Sequence, residues 1–341
     1  MPGYTLSSGL LCLLLVICSA VFLLRPKQAT HSRRSSTMSN VFVSKILVHP
    51  LKSCRGISVN KARYTPEGLE YDRQWCIIEA KDHTVITARE FPKMVLITPS
   101  IVEDSGALLI SFPEDSGCEP FSVPLRPDLT TLSGWKRLDQ VKFYTVSPWE
   151  AYICEALGPS RSPSEILSSY FGRPVHLVFK GERERLCEPT PTYNKKAPAV
   201  FQDCYPLMVL SEESVTRIEE ELRNHVGKQG VDEHWRTDRV VIERFRPNIV
   251  FRGAGPFAED KWRQITIGNS PTINLVSHCT RCLLPNVCTE SGERDKAVPY
   301  KIIMKFRTGL DVNKMKACVG RNGVPTDIGE ISVGDHVAAE L

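Results

Sequence analysis

The sequence predicts a β-rich α+β protein with two globular parts behind one N-terminal transmembrane helix. Three observations lead there. Short apolar, β-branched segments recur at close spacing over residues 41–112 and again over residues 249–276, separated by turn residues. That is the pattern of a barrel or sandwich. Residues 212–226 instead repeat apolar side chains at helical spacing. Residues 6–24 form a nearly unbroken apolar run, close to the roughly 20 residues that cross a bilayer core.

The first 24 residues carry no charged side chain, and Arg25, Lys27, Arg33 and Arg34 follow at once. Basic flanks stay on the cytoplasmic side, so the run predicts an uncleaved anchor with the body facing the cytosol. A cleaved secretory signal is the alternative, but it places its basic residues before a shorter run. Residues 29–40 are rich in Ser and Thr and read as a tether. A chain of 341 residues holds two domains more naturally than one. The net charge of +4 is spread along the chain, with no basic helix and no basic run interleaved with aromatics. This excludes a nucleic-acid footprint. Of the twelve cysteines, Cys12 and Cys18 lie in the anchor. The other ten, facing the cytosol, read as reduced thiols, mostly small core residues such as Cys76.

Within the body, strands are expected at residues 41–48, 57–64, 74–79, 84–88, 95–102 and 107–112, making a first unit that ends near residue 147. Short helices at 149–157 and 165–171 flank a Gly-, Pro- and Ser-rich loop, and a strand follows at 175–179. Residues 189–198 hold three prolines and read as irregular. A strand at 205–210 leads to Ser211, a good N-cap, with Glu212 and Glu213 in the first helical turn. Val215, Ile218, Leu222 and Val226 give that helix its core face. Residues 227–238 read as a polar loop. Strands resume at 249–251, 262–267 and 272–276, a basic amphipathic stretch covers 300–307, and two short strands close the chain.

The chemistry centres on Cys279-Thr280-Arg281-Cys282. Thiolates are soft ligands for thiophilic metals. With Cys288 and His278 the pair offers a structural zinc set, although no second Cys-x-x-Cys accompanies it. A thioredoxin-like redox pair is disfavoured because Pro285 breaks the helix such a motif requires. Two core cysteines form the third reading. Cations stand at the mouths of several strands: Lys52-Ser53-Cys54-Arg55-Gly56, Asp72-Arg73-Gln74-Trp75, Thr87-Ala88-Arg89 and Arg246-Pro247-Asn248. A single arginine is most often an ordinary surface residue. Several donor-rich turns together with a soft sulfur fit an anionic, sulfur-liganded metal cofactor.

These segments, with Phe245-Arg246-Pro247-Asn248-Ile249 and Ile331-Ser332-Val333-Gly334-Asp335, occur in an order that resembles the mitochondrial amidoxime-reducing component family, molybdenum proteins built from MOSC domains. The resemblance runs from about residue 41 to the C-terminus. Behind the anchor (1–24) and polar linker (25–40) read above, it implies an N-terminal β-barrel-like MOSC domain (41–147), a helical connection (148–188) and a mixed α/β-barrel MOSC domain (189–341). It also implies Mo-molybdopterin without a nucleotide as cofactor, with Cys282 as molybdenum ligand and catalytic residue. Lys52, Ser53, Arg73 and Arg246 would hold the pterin and its phosphate, with Asn248 and Arg281 as further contacts. The chain departs from the family at Cys204-Tyr205-Pro206, where small hydroxyl residues are expected, and its 227–238 loop is longer than usual.

The implied activity is reduction of small N-hydroxylated substrates, amidoximes and hydroxylamines, with electrons from cytochrome b5 and NADH-cytochrome b5 reductase. The implied location is the mitochondrial outer membrane, with the endoplasmic reticulum as alternative. Neither the pyridoxal-phosphate domain of the cofactor sulfurases nor a four-cysteine iron–sulfur domain is expected, so electrons come from another protein. The competing reading is a carrier of molybdenum cofactor or sulfur that does not turn over.

Overall fold

A computed structural model describes residues 40–143, 146–158, 161–310 and 315–341. The expected anchor and all but the last residue of the linker lie outside the described residues. Among the described residues, no helix is long and apolar enough to cross a membrane.

The largest sheet has eight strands, in the order Ile57–Val59, Phe42–Val48, Ile249–Arg252, Leu207–Ser211, Cys318–Pro325, Ile273–Thr280, Gln264–Ile267 and Val337–Glu340. Strands from the two ends of the sequence therefore share one sheet. Phe42–Val48 pairs antiparallel with Ile249–Arg252, with Ile46 opposite Ile249. The parallel pair in this sheet, Leu207–Ser211 with Ile249–Arg252, is joined through the helix Glu212–Arg223, as a parallel connection requires a crossover. Ser211 caps that helix by accepting from the Ser214 N–H, and Val215, Ile218 and Leu222 pack on Ile302 and Ile303 of the helix Tyr300–Phe306.

A four-stranded sheet runs Trp75–Glu79, Val175–Lys180, Val146–Ile153, Arg137–Phe143. Three smaller sheets complete the β structure. One of them pairs Gly329–Ser332 with Lys61–Thr65, again linking the two ends of the sequence. The main core gathers Val43, Trp75, Phe251, Trp262 and Ile265 from both halves.

Several expectations are corrected. Residues 149–157 do not form a helix, because residues 146–153 are taken up in pairing with Arg137–Phe143 on one side and Val175–Lys180 on the other. Accordingly Val146–Ile153 is a strand, and among the described residues of the segment 148–188 strands are joined by one helix, Pro163–Phe171. The expected strand at 95–102 is split. Pro92 starts a 3-10 helix, Pro92–Leu96, and the strand begins only at Thr98. Residues 84–88 make isolated bridges from Val85 to Ile78 and from Thr84 to Lys142. The strand expected at 272–276 runs on to Thr280. Cys318–Pro325, buried at every position, has no alternation to betray it and is central to the large sheet.

Candidate functional site

One pocket is lined by Lys52, Ser53, Arg73, Arg246, Asn248, Arg281 and Cys282. All seven site residues expected from the sequence thus meet, although 230 positions separate Lys52 from Cys282 in the numbering. The backbone explains how. The Lys52 N–H donates to the Trp75 carbonyl at 2.9 Å and the Arg73 N–H to the His49 carbonyl at 2.7 Å. The His49 N–H donates to the Asp72 carboxylate at 2.8 Å, and the Phe201 N–H to the Arg73 carbonyl at 3.1 Å. Gly56 is required by a close approach, since a Cβ there would meet the His49 ring at 2.7 Å.

Three of the pocket residues adopt left-handed backbone: Ser53 at φ 67°, Arg73 at φ 51° and Arg246 at φ 57°. Each costs about 1 to 3 kcal/mol for a residue other than glycine, and such strain concentrates at functional sites. The strand leading to the cysteines is irregular too, with register shifts between Leu275 and Ser277 and between His278 and Thr280. Bulges of this kind bend a strand and re-aim its side chains.

The cations are held rather than free-swinging. Arg73 Nη1 donates to both Asp72 carboxylate oxygens, at 2.7 and 2.6 Å, and its Nη2 donates to the Arg246 carbonyl at 3.1 Å. Burial alone would raise the Asp72 carboxyl, but Arg73 and the hydrogen bond to His49 outweigh it and hold it below the usual range. Lys52 is buried, donates to the Phe201 carbonyl at 2.7 Å, pairs with Asp203 and lies 4.4 Å above the Phe143 ring. Burial lowers its ammonium below the ordinary value, against the pull of Asp203. Arg246 reaches the Cys54 carbonyl through Nη1, while its Nη2 is buried without a partner. Burial, then repulsion from Arg73, brings Arg246 down to about 10.

Arg281 donates to the Phe245 carbonyl at 2.8 Å and to the Cys279 sulfur at 3.0 Å, and its Nε is buried and unpartnered. Asn248 is differently employed. Its side-chain oxygen accepts from the Met208 N–H at 3.1 Å and its amide donates to the Leu47 carbonyl at 3.3 Å, so it locks two strands to the pocket wall.

The two cysteines differ. Cys282 is partly exposed two residues beyond the strand, and its sulfur accepts from the Leu284 N–H at 3.4 Å. Cys279 packs against the apolar cluster of the long helix, and burial raises its thiol despite Arg281. The zinc alternative needs Cys279, Cys282, Cys288 and His278 to converge. Among the described residues no group of three or more His, Cys, Asp or Glu side chains is placed to hold a metal. His278 turns to Asp260 at 3.5 Å, and Cys288 lines a neighbouring cavity instead. Arg89 is not a lining residue of the pocket.

Asp203, Cys204, Tyr205, Met208, Phe245 and Asn322 also line the pocket, as do Cys279, Thr280 and Leu284. Asn322 escaped the sequence reading because its strand did. Asp72, which sets Arg73, was visible only as the neighbour of an arginine. Four lining cations face one lining carboxylate, Asp203, and two buried guanidinium N–H groups lack acceptors. The donor set therefore fits an anionic group, and Cys282 supplies one soft ligand for a metal carried on it.

Residues 40–147 match the MOSC N-terminal beta barrel domain, and residues 197–338 match the MOSC domain. The chain belongs to the family of proteins that carry these two domains. Within it, the chain is similar to mitochondrial amidoxime-reducing component 1 of Mus musculus, 27% identical over 285 residues that cover 82% of this chain and 76% of the mouse protein. Mitochondrial amidoxime reducing component 2 of Homo sapiens is 25% identical over 334 residues, 91% of this chain and 87% of the human protein. Molybdenum cofactor sulfurase of Danio rerio is 27% identical over 289 residues, which cover 81% of this chain and 31% of the sulfurase.

Proposed function

We propose that this chain is a membrane-anchored oxidoreductase that binds Mo-molybdopterin without a nucleotide and reduces N-hydroxylated compounds, drawing electrons from cytochrome b5 and its NADH-dependent reductase. The observation that carries the reading is the meeting of the partly exposed thiol of Cys282, just beyond an irregular strand, with Lys52, Arg73, Arg246 and Arg281 in a single pocket. Similarity to proteins named mitochondrial amidoxime-reducing components supports the reaction class and a mitochondrial association.

When bound, the molybdenum cofactor supplies the two-electron reduction of the N–O bond. The protein supplies position and charge. Cys282 would be the sulfur ligand of the metal, and the Leu284 N–H beside its sulfur helps fix where that sulfur stands. Arg246 Nη2 and Arg281 Nε, both lacking acceptors, are the donors for the anionic pterin, its phosphate or its dithiolene. Lys52 and Arg73 add positive charge from anchored positions and, because Phe201, Asp203 and Asp72 hold them, lose little freedom on binding. Asp203 beside Lys52 stays ionised, since Lys52 and the neighbouring arginines outweigh burial. It orients Lys52 and is not a proton donor at neutral pH.

The test is purification from cells that make the cofactor, followed by metal and pterin analysis and by turnover of benzamidoxime with NADH, cytochrome b5 and its reductase. Molybdenum and pterin in equal amounts with turnover are expected. Absence of both sinks the reading. Bound cofactor that passes to an apo-enzyme without turnover would establish the carrier instead. Cys279, the second thiol a sulfur carrier would use, is tied to Arg281, which weighs against that outcome.

A further inference from the structure

A larger cavity of about 910 Å3 adjoins the candidate site and shares Arg246 and Leu284 with it. Its remaining walls have no part in the proposed reaction. Two of them are chemically unusual, Cys288 and Arg244.

Cys288 is partly exposed and fixed at both backbone ends. Its N–H donates to the Glu293 carbonyl at 2.7 Å, and its carbonyl accepts from the Gly292 N–H at 2.9 Å. The turn from Cys288 to Glu293 therefore closes on the cysteine and holds its sulfur at the cavity wall. Partial burial raises the thiol, but the N–H groups of Ser291 and Glu290, the Ser291 hydroxyl and the Arg244 guanidinium outweigh it and leave it below its ordinary value. Cys54, Cys76, Cys154 and Cys279 go the other way, raised by burial. Thiolate, partial exposure and a positive neighbour are the conditions for a nucleophilic cysteine.

Arg244 is 7% exposed, lies 5.3 Å over the Trp235 ring, and has Nε and Nη1 buried with no partner. Unsatisfied guanidinium donors at a cavity wall call for an anionic acceptor. Several carboxylates that face the cavity are already engaged. Glu290 pairs with Arg55 at 3.2 Å, Asp232 with His234 at 2.8 Å and Glu243 with Lys45 at 2.5 Å. Asp295 accepts from the Trp235 Nε1–H and from the Ala297 and Val298 N–H groups, each at 2.7 Å. A ligand that satisfies both features carries a sulfur electrophile and a carboxylate.

We propose that Cys288 is a modification site that forms a mixed disulfide with a low-molecular-weight disulfide bearing carboxylates, one of which is received by Arg244. The Cys288 thiolate attacks one sulfur of the disulfide. The Cys288–S bond forms as the S–S bond of the ligand breaks, and the electron pair leaves with the second sulfur as a thiolate. The ligand is the oxidant, and an excess of the free thiol reverses the step. The inference does not depend on the cofactor reading.

The experiment exposes the reduced full-length protein to glutathione disulfide or to the uncharged 2-hydroxyethyl disulfide and maps adducts by peptide mass spectrometry over time. The expected result is an adduct on Cys288 ahead of those on Cys204 and Cys282. Glutathione disulfide should react roughly tenfold faster there than the uncharged reagent, the scale of one charge-assisted contact, once each reagent is referred to its rate with a free cysteine peptide. Added salt should narrow the gap. Arg244→Met should erase the preference while Cys288 still reacts, and Cys288→Ser should abolish the adduct. An unmodified Cys288, or equal referred rates for the two reagents, overturns the proposal. The reagent comparison needs only the wild-type chain, so it decides even if Arg244→Met does not fold.

Discussion

Arg246→Met separates a binding role for Arg246 from a structural one. The guanidinium is held at about 10 against an ordinary 12.5, by burial and then by Arg73. That difference corresponds to about 3 kcal/mol. The folded state binds this proton less tightly than the unfolded state does, so the charged side chain destabilises the cofactor-free fold throughout the neutral range. An anion at Arg246 Nη2 would remove that cost. Replacement by methionine removes it too, but loses the hydrogen bond to the Cys54 carbonyl, worth about 1.5 to 3 kcal/mol for a charged donor. The two terms nearly cancel. The cofactor-free variant should therefore lie within about 2 kcal/mol of the wild type in urea unfolding, while its pterin content, read by fluorescence after acid oxidation, falls severalfold. A cofactor-free variant destabilised by well over 3 kcal/mol would make Arg246 a structural keystone. Full pterin occupancy would remove it from the site.

Three further expectations follow from the same geometry. Cys282→Ser should lose molybdenum and all turnover with unchanged circular dichroism, whereas Cys279→Ser, which disturbs the contact with Arg281 and some apolar packing, should keep most of both; exchanged phenotypes would reverse the ligand assignment. Asp72→Asn should cost about 3 kcal/mol by breaking the ion pair between buried Asp72 and half-buried Arg73. Because the Asp72 carboxyl is held low, its contribution in the wild type is complete above the unfolded value near 3.9 and is lost as pH falls through the depressed native value. Unfolding curves between about pH 2 and 5 should thus show an acid-side slope that weakens in the variant, and identical slopes would refute the pairing. The full chain should sediment with membranes and a chain starting at residue 39 should not; equal partition would exclude the anchor.

Much of the site was legible in the linear text, because its parts sit in short segments with conspicuous chemistry. Lys52-Ser53, Asp72-Arg73, Arg246-Pro247-Asn248 and Cys279-x-x-Cys282 are each local, and each touches the pocket. Elements with a clear period were legible too. The helix Glu212–Arg223 combines an N-cap with a core face at helical spacing. Segments without a period misled. Trp149 to Ile153 is short enough to read as helix or strand, and its pairing with Arg137–Phe143 and Val175–Lys180 decided the matter. Cys318–Pro325, buried on both faces, offered no alternation.

Residue chemistry by itself determined that this chain carries soft sulfur among cations, and where the long amphipathic helix begins. Whether those cations stand in one place depended on strand pairing between the two ends of the chain, Phe42–Val48 with Ile249–Arg252, which no local pattern encodes. The tertiary structure also decided which donors remain for a ligand. Asn248 is consumed by backbone partners while Arg246 and Arg281 keep buried N–H groups without acceptors. The reason is physical: a residue's type sets what bonds it can make, but only its packed neighbours determine which of those bonds are already made.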